Sequence, residues 1–313
     1  MQRNLTVVTE FFILGFQGSQ HLRNTLFLLF LLVYGATICG NLLIITLVST
    51  SRNLHTPMYF FISQLSISDI LVTTDIVPNM LHILLANGGK INFIGCISQF
   101  YFFDVSEGFE CLLLTVMSYD RYVAICNPLR YTSIMTSAYC VKLVAFSWLL
   151  SIFVAFIDTL AASKLTFCGP TIIDHFFCDL MPLEEMACSG TFIIQLIVYA
   201  QSIPLIIIPT IVIIDCYINI GVTILKIPSN IGRQKAFSTC SSHLTVVSIF
   251  YWTLFSIYIF PTKGKSSIIS KILSLLYTLF TSLINPIIYS LRNKDIRKAV
   301  QEKNLKYKLN KIR

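Results

Sequence analysis

Long apolar runs alternate with short polar segments along the whole chain. Seven runs predict membrane-spanning helices, at about 24–49, 58–84, 96–122, 141–162, 194–224, 236–260 and 271–291. Each is near or above the roughly 20 apolar residues that a helix needs to cross a bilayer. The second run is the least apolar, because it contains Gln64, Asp69 and Asp75, so we expect much of it to face protein. The pattern predicts an all-α membrane protein, a seven-transmembrane helix bundle.

The composition supports a membrane protein and adds an orientation. The 313 residues are 55% hydrophobic and only 12% charged, whereas soluble domains carry about 25% charged residues. A formal net charge of +8 would suggest nucleic acid in a soluble protein. Here most of the 23 lysines and arginines lie in segments that face the cytoplasm if the N-terminus is outside. We therefore expect the N-terminus outside, the C-terminus inside and no nucleic-acid partner.

The chain predicts one domain, residues 1–313, with no internal repeat. Residues 1–23 form an extracellular N-terminus, 24–291 the seven-helix bundle and 292–313 a basic cytoplasmic tail. No cleavable signal peptide is evident, so we expect the first span to insert as its own signal. Asn4 begins a glycosylation tripeptide that requires an extracellular N-terminus. Residues 293–301 predict a short amphipathic eighth helix on the membrane, with Ile296 and Val300 one turn apart; a solvated tail is the alternative.

The stretch Met117–Tyr131 ends the third span with two adjacent opposite charges, Asp120 and Arg121. A charge costs roughly 2.5–3.5 kcal/mol at the bilayer centre on insertion scales and less near the interface. An acid–base pair at this edge is therefore tolerable and can be made or broken at small cost, which suits a switch. The alternative is a membrane-edge arginine that reaches the headgroups beside a counter-ion.

Four of the ten cysteines are expected to face the oxidising side: Cys96, Cys168, Cys178 and Cys188. An even number there is typical of disulfides, and four cysteines allow three pairings. The other six lie in spans or on the reducing side and read as small buried apolar residues.

Six sequence blocks in order carry a resemblance to a known family. They are Gly40-Asn41, Pro57-Met58-Tyr59-Phe60-Phe61 with Leu65-Ser66 and Asp69, Met117–Tyr131, the cysteine-bearing block 168–189, Lys235–Leu244 and Asn285–Asn293. With them the chain resembles odorant (olfactory) receptors of the tetrapod class II type, within the rhodopsin-like (class A) G-protein-coupled receptors. The resemblance runs from about Glu10 to Ala299.

The resemblance implies a function and a place in the cell. It implies that the chain binds a small volatile odorant in the extracellular half of the bundle and activates a stimulatory, olfactory-type G protein, which raises cyclic AMP. It implies a multi-pass protein of the plasma membrane, in the sensory cilia of olfactory neurons. It also implies the disulfides Cys96–Cys178 and Cys168–Cys188.

The resemblance assigns the inner switch. Ionised Asp120 would hold Arg121 in the resting state, and release of Arg121 would accompany coupling to the G protein. The residues expected to act with this pair are Tyr122, Tyr217, Lys235, His243 and Tyr289. For His243 the alternative is a polar residue at the membrane edge.

Asp69 and Glu110 are two acids at membrane depth, and a proton, a cation or hydrogen-bond donors must neutralise them. The resemblance implies a sodium ion between the two carboxylates, with Asn41, Ser66 and Asn285 nearby. The alternative is a protonated Glu110 hydrogen-bonded to Asp69. We expect no other cofactor.

The resemblance also places the odorant pocket between the outer halves of the third, fifth, sixth and seventh helices. The expected ligand contacts are Phe103, Asp104, Glu107, Gly108, Gln201, Ser202, Leu205, Tyr251, Leu254, Phe255, Tyr258 and Thr278. At 100° per residue, Asp104, Gly108 and Cys111 share one stripe of the third helix, and Glu107 adjoins it. Two acids are unusual in such a wall. Our hypothesis is that they favour a protonated amine or another cationic or donor-rich odorant; alternatively they bond to Ser106, Gln99 or water.

Other function classes fit less well. Tyr119-Asp120 matches half of the intramembrane aspartyl protease pattern, but the Gly-x-Gly-Asp half does not occur, nor does a serine-protease or His-Glu-x-x-His motif. We therefore expect no enzyme. A transporter would favour inverted repeats and broken helices, which the sequence does not display. The alternative function is a non-olfactory rhodopsin-like receptor for a small amine or another small molecule.

Epitope tags at the two ends of the chain test the predicted topology. An N-terminal tag should bind antibody on intact cells, and a C-terminal tag only after permeabilisation, because the basic segments stay inside. Asn4→Gln should remove an enzymatically cleavable glycan. Two tags that stain on the same side would contradict the prediction.

Overall fold

Seven long helices follow one another in the computed structural model, which describes residues 8–168, 170–259, 267–292 and 295–303. They are α1 (Gln20–Thr50), α2 (Pro57–Ala86), α3 (Phe93–Cys126), α4 (Ser137–Ser163), α5 (Phe192–Lys226), α6 (Asn230–Ile259) and α7 (Ser267–Leu275, Leu276–Phe280 and Thr281–Arg292). The predicted spans match these helices. Nearly all of the helices extend a few residues further, because a helix can satisfy its backbone hydrogen bonds beyond the hydrocarbon.

Five of the helices, α1, α2, α4, α5 and α7, are long and apolar enough to cross a membrane. Among the described residues α3 does not meet that test, because it carries Asp104, Glu107, Glu110 and the Asp120–Arg121 pair. It packs instead against α2, α4 and α5. This central position shields its polar residues from lipid.

Local sequence explains several helix boundaries. The side chain of Ser19 accepts a hydrogen bond from Leu22 N and caps α1, and Asn92 caps α3 by accepting from Gly95 N. Thr136 caps α4 in the same way. Pro57 occupies the first turn of α2, where its missing N–H costs nothing. α2 ends at Asn87, which adopts the left-handed conformation that asparagine tolerates.

Two helices change geometry near their middle. α5 contains the π-helical segment Ile203–Ile207, which includes Pro204, and α7 contains the π-helical segment Leu276–Phe280. π-helical segments are short irregularities that often mark functional sites. Pro209 and Pro286 lie in the following helical segments of α5 and α7.

A small sheet that sequence analysis did not predict covers the outer end of the bundle, the end opposite Asp120. Its strands are β1 (Glu10–Ile13), β2 (Gly89–Asn92) and β3 (Ile172–Ile173), in the order β2-β1-β3. β1 pairs antiparallel with β2 and parallel with β3. The sheet thus joins the N-terminal segment, the α2–α3 turn and the long loop between α4 and α5.

Two disulfides hold this long loop. Cys96 at the start of α3 pairs with Cys178, with 5.4 Å between the Cα atoms, and Cys168 pairs with Cys188, with 5.7 Å. These are the two pairings that the resemblance implies. The first anchors the loop to α3, so the loop residues after it stay over the outer end of the bundle.

A buried cation ties the same cap to α7. Lys271 Nζ lies 2.6 Å from Asp174 Oδ1 and donates to Gly15 O at 2.7 Å, and the lysine side chain is only 5% exposed. Next to it His175 is buried against the Phe176 ring, at 4.6 Å between ring centroids. Burial lowers the pKa of His175 to about 3, and the charge of Lys271 lowers it further, so this histidine is neutral at physiological pH.

Residues 295–303 are helical, and Ile296 and Ala299 are buried in the core of the bundle. The Tyr59 hydroxyl donates to Asp295 Oδ2 at 2.9 Å. One face of this helix therefore packs on the bundle, and a position on the membrane stays a prediction. Asn4 and the last ten residues of the tail lie outside the described residues, as do the side chains of Lys235 and Tyr258.

A double-mutant cycle on Asp174 and Lys271 tests the cap. Asp174→Asn and Lys271→Met should each lower the melting temperature of the purified protein, because each removes the ionic attraction between the two side chains, while the double variant should lose less than the sum. Asp174 is half-exposed, so we expect a coupling of about 1–2 kcal/mol, below that of a fully buried pair.

The exposed Lys90–Glu10 pair, at 3.0 Å, is the matched control. Lys90→Met and Glu10→Gln should change the melting temperature little, since exposed pairs contribute about 0–1 kcal/mol. Equal losses from both pairs, or strict additivity at Asp174 and Lys271, would contradict the role given to the buried pair.

Candidate functional site

The inner end of the bundle, the end that carries Asp120, holds a closed acid–base pair. Arg121 Nε donates to Asp120 Oδ2 at 2.9 Å, and Nη2 contacts the same oxygen. The Asp120 side chain is fully buried. The Tyr131 hydroxyl donates to the other oxygen, Oδ1, at 2.8 Å. One carboxylate therefore binds a guanidinium and a phenol at once.

Tyr131 belongs to the short helix Tyr131–Ile134 that follows the inner end of α3. Burial and the neighbouring Asp120 carboxylate raise the pKa of Tyr131 well above its ordinary value, so its hydroxyl stays protonated and remains a donor. Sequence analysis included Tyr131 in the motif but gave it no role. In a continuous helix a residue eleven positions on would lie about 16 Å away along the axis, so only the turn after α3 brings Tyr131 back to Asp120.

A second contact joins α5 and α6 near the pair. The Tyr217 hydroxyl lies 2.5 Å from His243 Nδ1, and the two rings are nearly parallel. His243 is fully buried, so it is not an exposed residue at the membrane edge. Tyr289 of α7 is also buried, and its hydroxyl has no hydrogen-bond partner among the described residues. Tyr122 packs against the same small apolar cluster as Tyr217.

Asp69 and Glu110 meet in the middle of the bundle through one amide. Asn285 Nδ2 donates to both oxygens of Asp69, at 3.2 and 3.3 Å, and to Glu110 Oε1 at 3.3 Å. Asn41 lies close, because its amide donates to Ser282 O, while its own Oδ1 is buried without a partner. Two convergent carboxylates and this unpaired oxygen are hard oxygen donors, which fit a small monovalent cation.

Among the described residues no cluster of three or more histidine, cysteine or acidic side chains could hold a metal. A cation here would therefore bind through the two carboxylates and neutral oxygens only. Asn285 bridges the two acids in the structure, and Ser66 is buried on the same helix as Asp69.

A cavity of about 110 Å³ lies in the outer half of the bundle, between α3, α4, α5 and the loop that precedes α5. Seven of the expected contacts line it: Phe103, Asp104, Glu107, Gly108, Gln201, Ser202 and Leu205. Gly108 also lets α4 approach, because a Cβ there would lie 3.3 Å from Ser151 Oγ.

The expected contacts from α6 and α7 lie elsewhere. Tyr251 donates to Cys111 O at 3.5 Å, Leu254 and Thr278 are buried, and Phe255 is exposed at the surface. None of them is among the described residues that line this cavity. Helical periodicity places a residue on a face, but it does not say which neighbouring helix stands opposite.

The wall that α4 and the loop contribute was not predicted from the sequence: it consists of Val154, Asp158, Asp179 and Leu180. Phe100, Val198 and Ile206 are further lining residues of α3 and α5, and Cys111 lines the cavity from the predicted stripe. One signal pointed to Asp158, the only acid in the fourth span, because an ionisable residue at membrane depth is a functional hypothesis by default. Burial raises the pKa of Asp179, in the loop, to about 6.

The sequence hypothesis treated Asp104 and Glu107 as a pair, but in the structure these two acids have other neighbours. Asp104 faces Asp158 of α4, and their carboxyl groups lie within hydrogen-bonding reach. The Gln201 amide is assigned with its nitrogen toward Asp158, because the opposite orientation would set its oxygen against two acceptors; the nitrogen then lies 2.6 and 2.7 Å from the two oxygens of Asp158. Glu107 turns toward Tyr277 of α7.

The alternative partners of Asp104 are engaged elsewhere. The Ser106 hydroxyl donates to Phe102 O at 2.9 Å. Gln99 donates to Asp75 O and accepts from Cys178 N, both at 3.0 Å. Asp104 Oδ2 is buried and has no hydrogen-bond partner among the described residues. Neither residue therefore neutralises Asp104.

Comparison with known proteins identifies the family of this chain. Residues 30–307 match the family model described as olfactory receptor. Olfactory receptor 5G25 of Mus musculus is 47% identical over 300 residues, which cover 96% of this chain and 94% of that protein. Olfactory receptor 11L1 of Homo sapiens is 44% identical over 300 residues, which cover 96% and 93%.

Among solved structures, squid rhodopsin superposes with a TM-score of 0.71 at 16% identity, over 92% of this chain and 86% of that one, which shows a shared fold. These matches do not favour the alternative of a non-olfactory receptor. The chain belongs to the olfactory receptor family: it is a multi-pass receptor of the plasma membrane, not an enzyme, and it responds to odorants through a G protein.

Proposed function

We propose that this receptor binds a small volatile odorant in the outer cavity and activates a stimulatory, olfactory-type G protein, which raises cyclic AMP. The observation that carries the proposal is that one helix, α3, contributes residues to both the outer cavity and the inner acid–base pair. It lines the cavity through Asp104 and Gly108, and it carries Asp120 and Arg121 at the inner end. A ligand that changes how α3 packs on its neighbours therefore acts on the helix that holds the pair.

The proposed mechanism is a shift between two populations. A ligand shifts an equilibrium only as far as it binds one state better than the other. The odorant binds better when the outer part of α5, which carries Gln201 and Leu205, closes on α3. The π-helical segment Ile203–Ile207 follows Gln201 and includes Leu205, and its irregular backbone allows α5 to change shape there. Tyr217 on the same helix then moves relative to His243 and transmits the change to α6.

Release of Arg121 is the output step. Arginine keeps its charge at all physiological pH values and carries five N–H donors. When it leaves Asp120, its guanidinium turns toward the crevice between the inner ends of the helices. There it binds carbonyl groups at the end of a G-protein helix. Tyr217 and Tyr289 provide hydroxyls beside this new position.

A sodium ion at Asp69 and Glu110 would stabilise the resting arrangement by neutralising both carboxylates. The two acids would hold it, with neutral oxygens from Asn41 or Ser66 completing its surroundings. Asn285 links the site to α7, so movement of α7 on activation weakens the site.

We extend the proposal to the whole chain as one domain, residues 1–313. Residues 1–23 face the outside of a sensory cilium, 24–291 form the bundle and the basic tail 292–313 lies in the cytoplasm. The tail carries lysines and arginines next to the membrane, where each contributes about 1 kcal/mol of attraction to anionic lipid.

Arg121→Gln should abolish signalling. The variant keeps a polar side chain but loses the charge and the guanidinium, so cyclic AMP in odorant-treated cells should fall to the level of untransfected cells while surface antibody staining persists. Lys142→Gln, an exposed basic residue of α4, is the control and should leave the response intact. Undiminished signalling from Arg121→Gln would overturn the proposed switch.

Tyr131→Phe should raise signalling without odorant. The variant removes one donor to the Asp120 carboxylate, and hydrogen bonds to charged groups contribute about 1.5–3 kcal/mol. We expect unstimulated cyclic AMP to increase several-fold, with Tyr139→Phe, a more exposed tyrosine of α4, unchanged. Basal signalling equal to that of the unmodified receptor would show that Tyr131 does not hold the resting pair.

A further inference from the structure

The outer cavity has an unusual charge pattern. Four acidic residues from three parts of the fold line it, Asp104 and Glu107 from α3, Asp158 from α4 and Asp179 from the loop. No lysine, arginine or histidine is among the described residues that line it. A buried ionised carboxylate is costly unless a partner neutralises it. The cavity acids therefore need a proton, a cation or hydrogen-bond donors, and the described wall supplies no cationic side chain.

One carboxylate oxygen of these acids has no hydrogen-bond donor among the described residues. With its amide nitrogen turned toward Asp158, Gln201 donates to both oxygens of that acid, so it supplies neutral donors to Asp158 alone. Asp104 lies against the same Asp158, yet its buried Oδ2 has no hydrogen-bond partner among the described residues. An acceptor of this kind, buried at the edge of a cavity, is unsatisfied until a donor occupies the cavity.

The remaining wall of the cavity is apolar and tight. Its apolar side chains come from α3, α4, α5 and the loop: Phe100, Phe103, Val154, Leu180, Val198, Leu205 and Ile206. Together with a volume of about 110 Å³, they fit a short hydrocarbon chain and exclude a large ring system. A ligand that satisfies both parts carries a cationic donor at one end and a few carbons at the other.

We propose that this cavity selects small aliphatic amines, whose ammonium group binds between Asp104 and Asp158. This inference rests on the proposed function, since it names the ligand class of the same site. An ammonium has three donors and no acceptor, so it can reach Asp104 Oδ2 and Asp158 together. A neutral alcohol offers one donor and no charge, and a carboxylic acid adds a further negative charge.

The structure makes Asp158, rather than Glu107, the partner of Asp104 in this selection. Gln201 positions Asp158 by holding both of its oxygens. Glu107 lines the cavity but is engaged by Tyr277 of α7. Asp104→Asn and Asp158→Asn should therefore weaken amine binding more than Glu107→Gln.

A matched series of four-carbon probes tests the inference on the purified full-length receptor. The probes are n-butylamine, 1-butanol and butyric acid at pH 7.4, where the amine is protonated like a lysine side chain with its pKa of about 10.4. Butylamine should raise the melting temperature at concentrations at which the alcohol and the acid do not. Equal stabilisation by 1-butanol, or none by butylamine, overturns the inference without any variant.

Single substitutions then test which residues bind butylamine. The butylamine concentration that gives half of the melting-temperature shift should rise at least tenfold in Asp104→Asn and in Asp158→Asn. Asp158→Glu, which keeps the charge, should retain most of the effect. The control is Asp75→Asn, an acid in α2 whose Oδ2 is also buried without a partner but which does not line the cavity. An equal loss in Asp75→Asn overturns the assignment.

Cyclic AMP assays with a broad odorant panel separate the two levels of the proposal. If alcohols or aldehydes activate the receptor and amines neither activate nor stabilise it, the amine inference fails and the proposed function stands. If butylamine stabilises the purified receptor but no odorant raises cyclic AMP, the amine site stands and the proposed signalling function fails.

Discussion

A charged side chain inside lipid must find a partner, and α3 carries five ionisable residues along its length. This one constraint explains why α3 lies in the middle of the bundle, packed on α2, α4 and α5. Each of its four acids meets a residue outside α3, and Arg121 pairs with the adjacent Asp120. Asp120 meets Arg121 and Tyr131, Glu110 meets Asn285, and Asp104 meets Asp158. Burying these charges therefore requires specific contacts between α3 and other parts of the chain.

The two ends of the bundle use this constraint differently. At the inner end the described contacts are complete, since both oxygens of Asp120 have donors, and the state is closed. At the outer end the contacts are incomplete, since an oxygen of Asp104 has none. A site that is satisfied at rest resists change, whereas an unsatisfied one gains by binding a ligand. One rigid helix carries both, so occupancy at the outer end bears on the equilibrium at the inner end.

The outer cap shows how the chain limits access to the cavity. One disulfide fixes the loop to α3, a three-stranded sheet adds the N-terminal segment, and the buried Lys271 bonds to both Gly15 and Asp174. These links come from segments far apart in sequence. The cap therefore holds Asp179 and Leu180 at the cavity, where they complete a wall that the helices alone leave open.

The sequence by itself determined the helices, the polar switch motif and the family, because apolar length and short motifs are local properties. The resemblance also indicated several α3 and α5 residues of the cavity, and helical periodicity showed that those of α3 lie on adjoining faces. Tertiary structure alone decided that Asp158 faces Asp104, that Tyr131 returns to Asp120, and that strands from residues 10, 89 and 172 form one sheet. These contacts depend on which helix or loop stands opposite, and long-range packing sets that choice rather than any repeat in the chain.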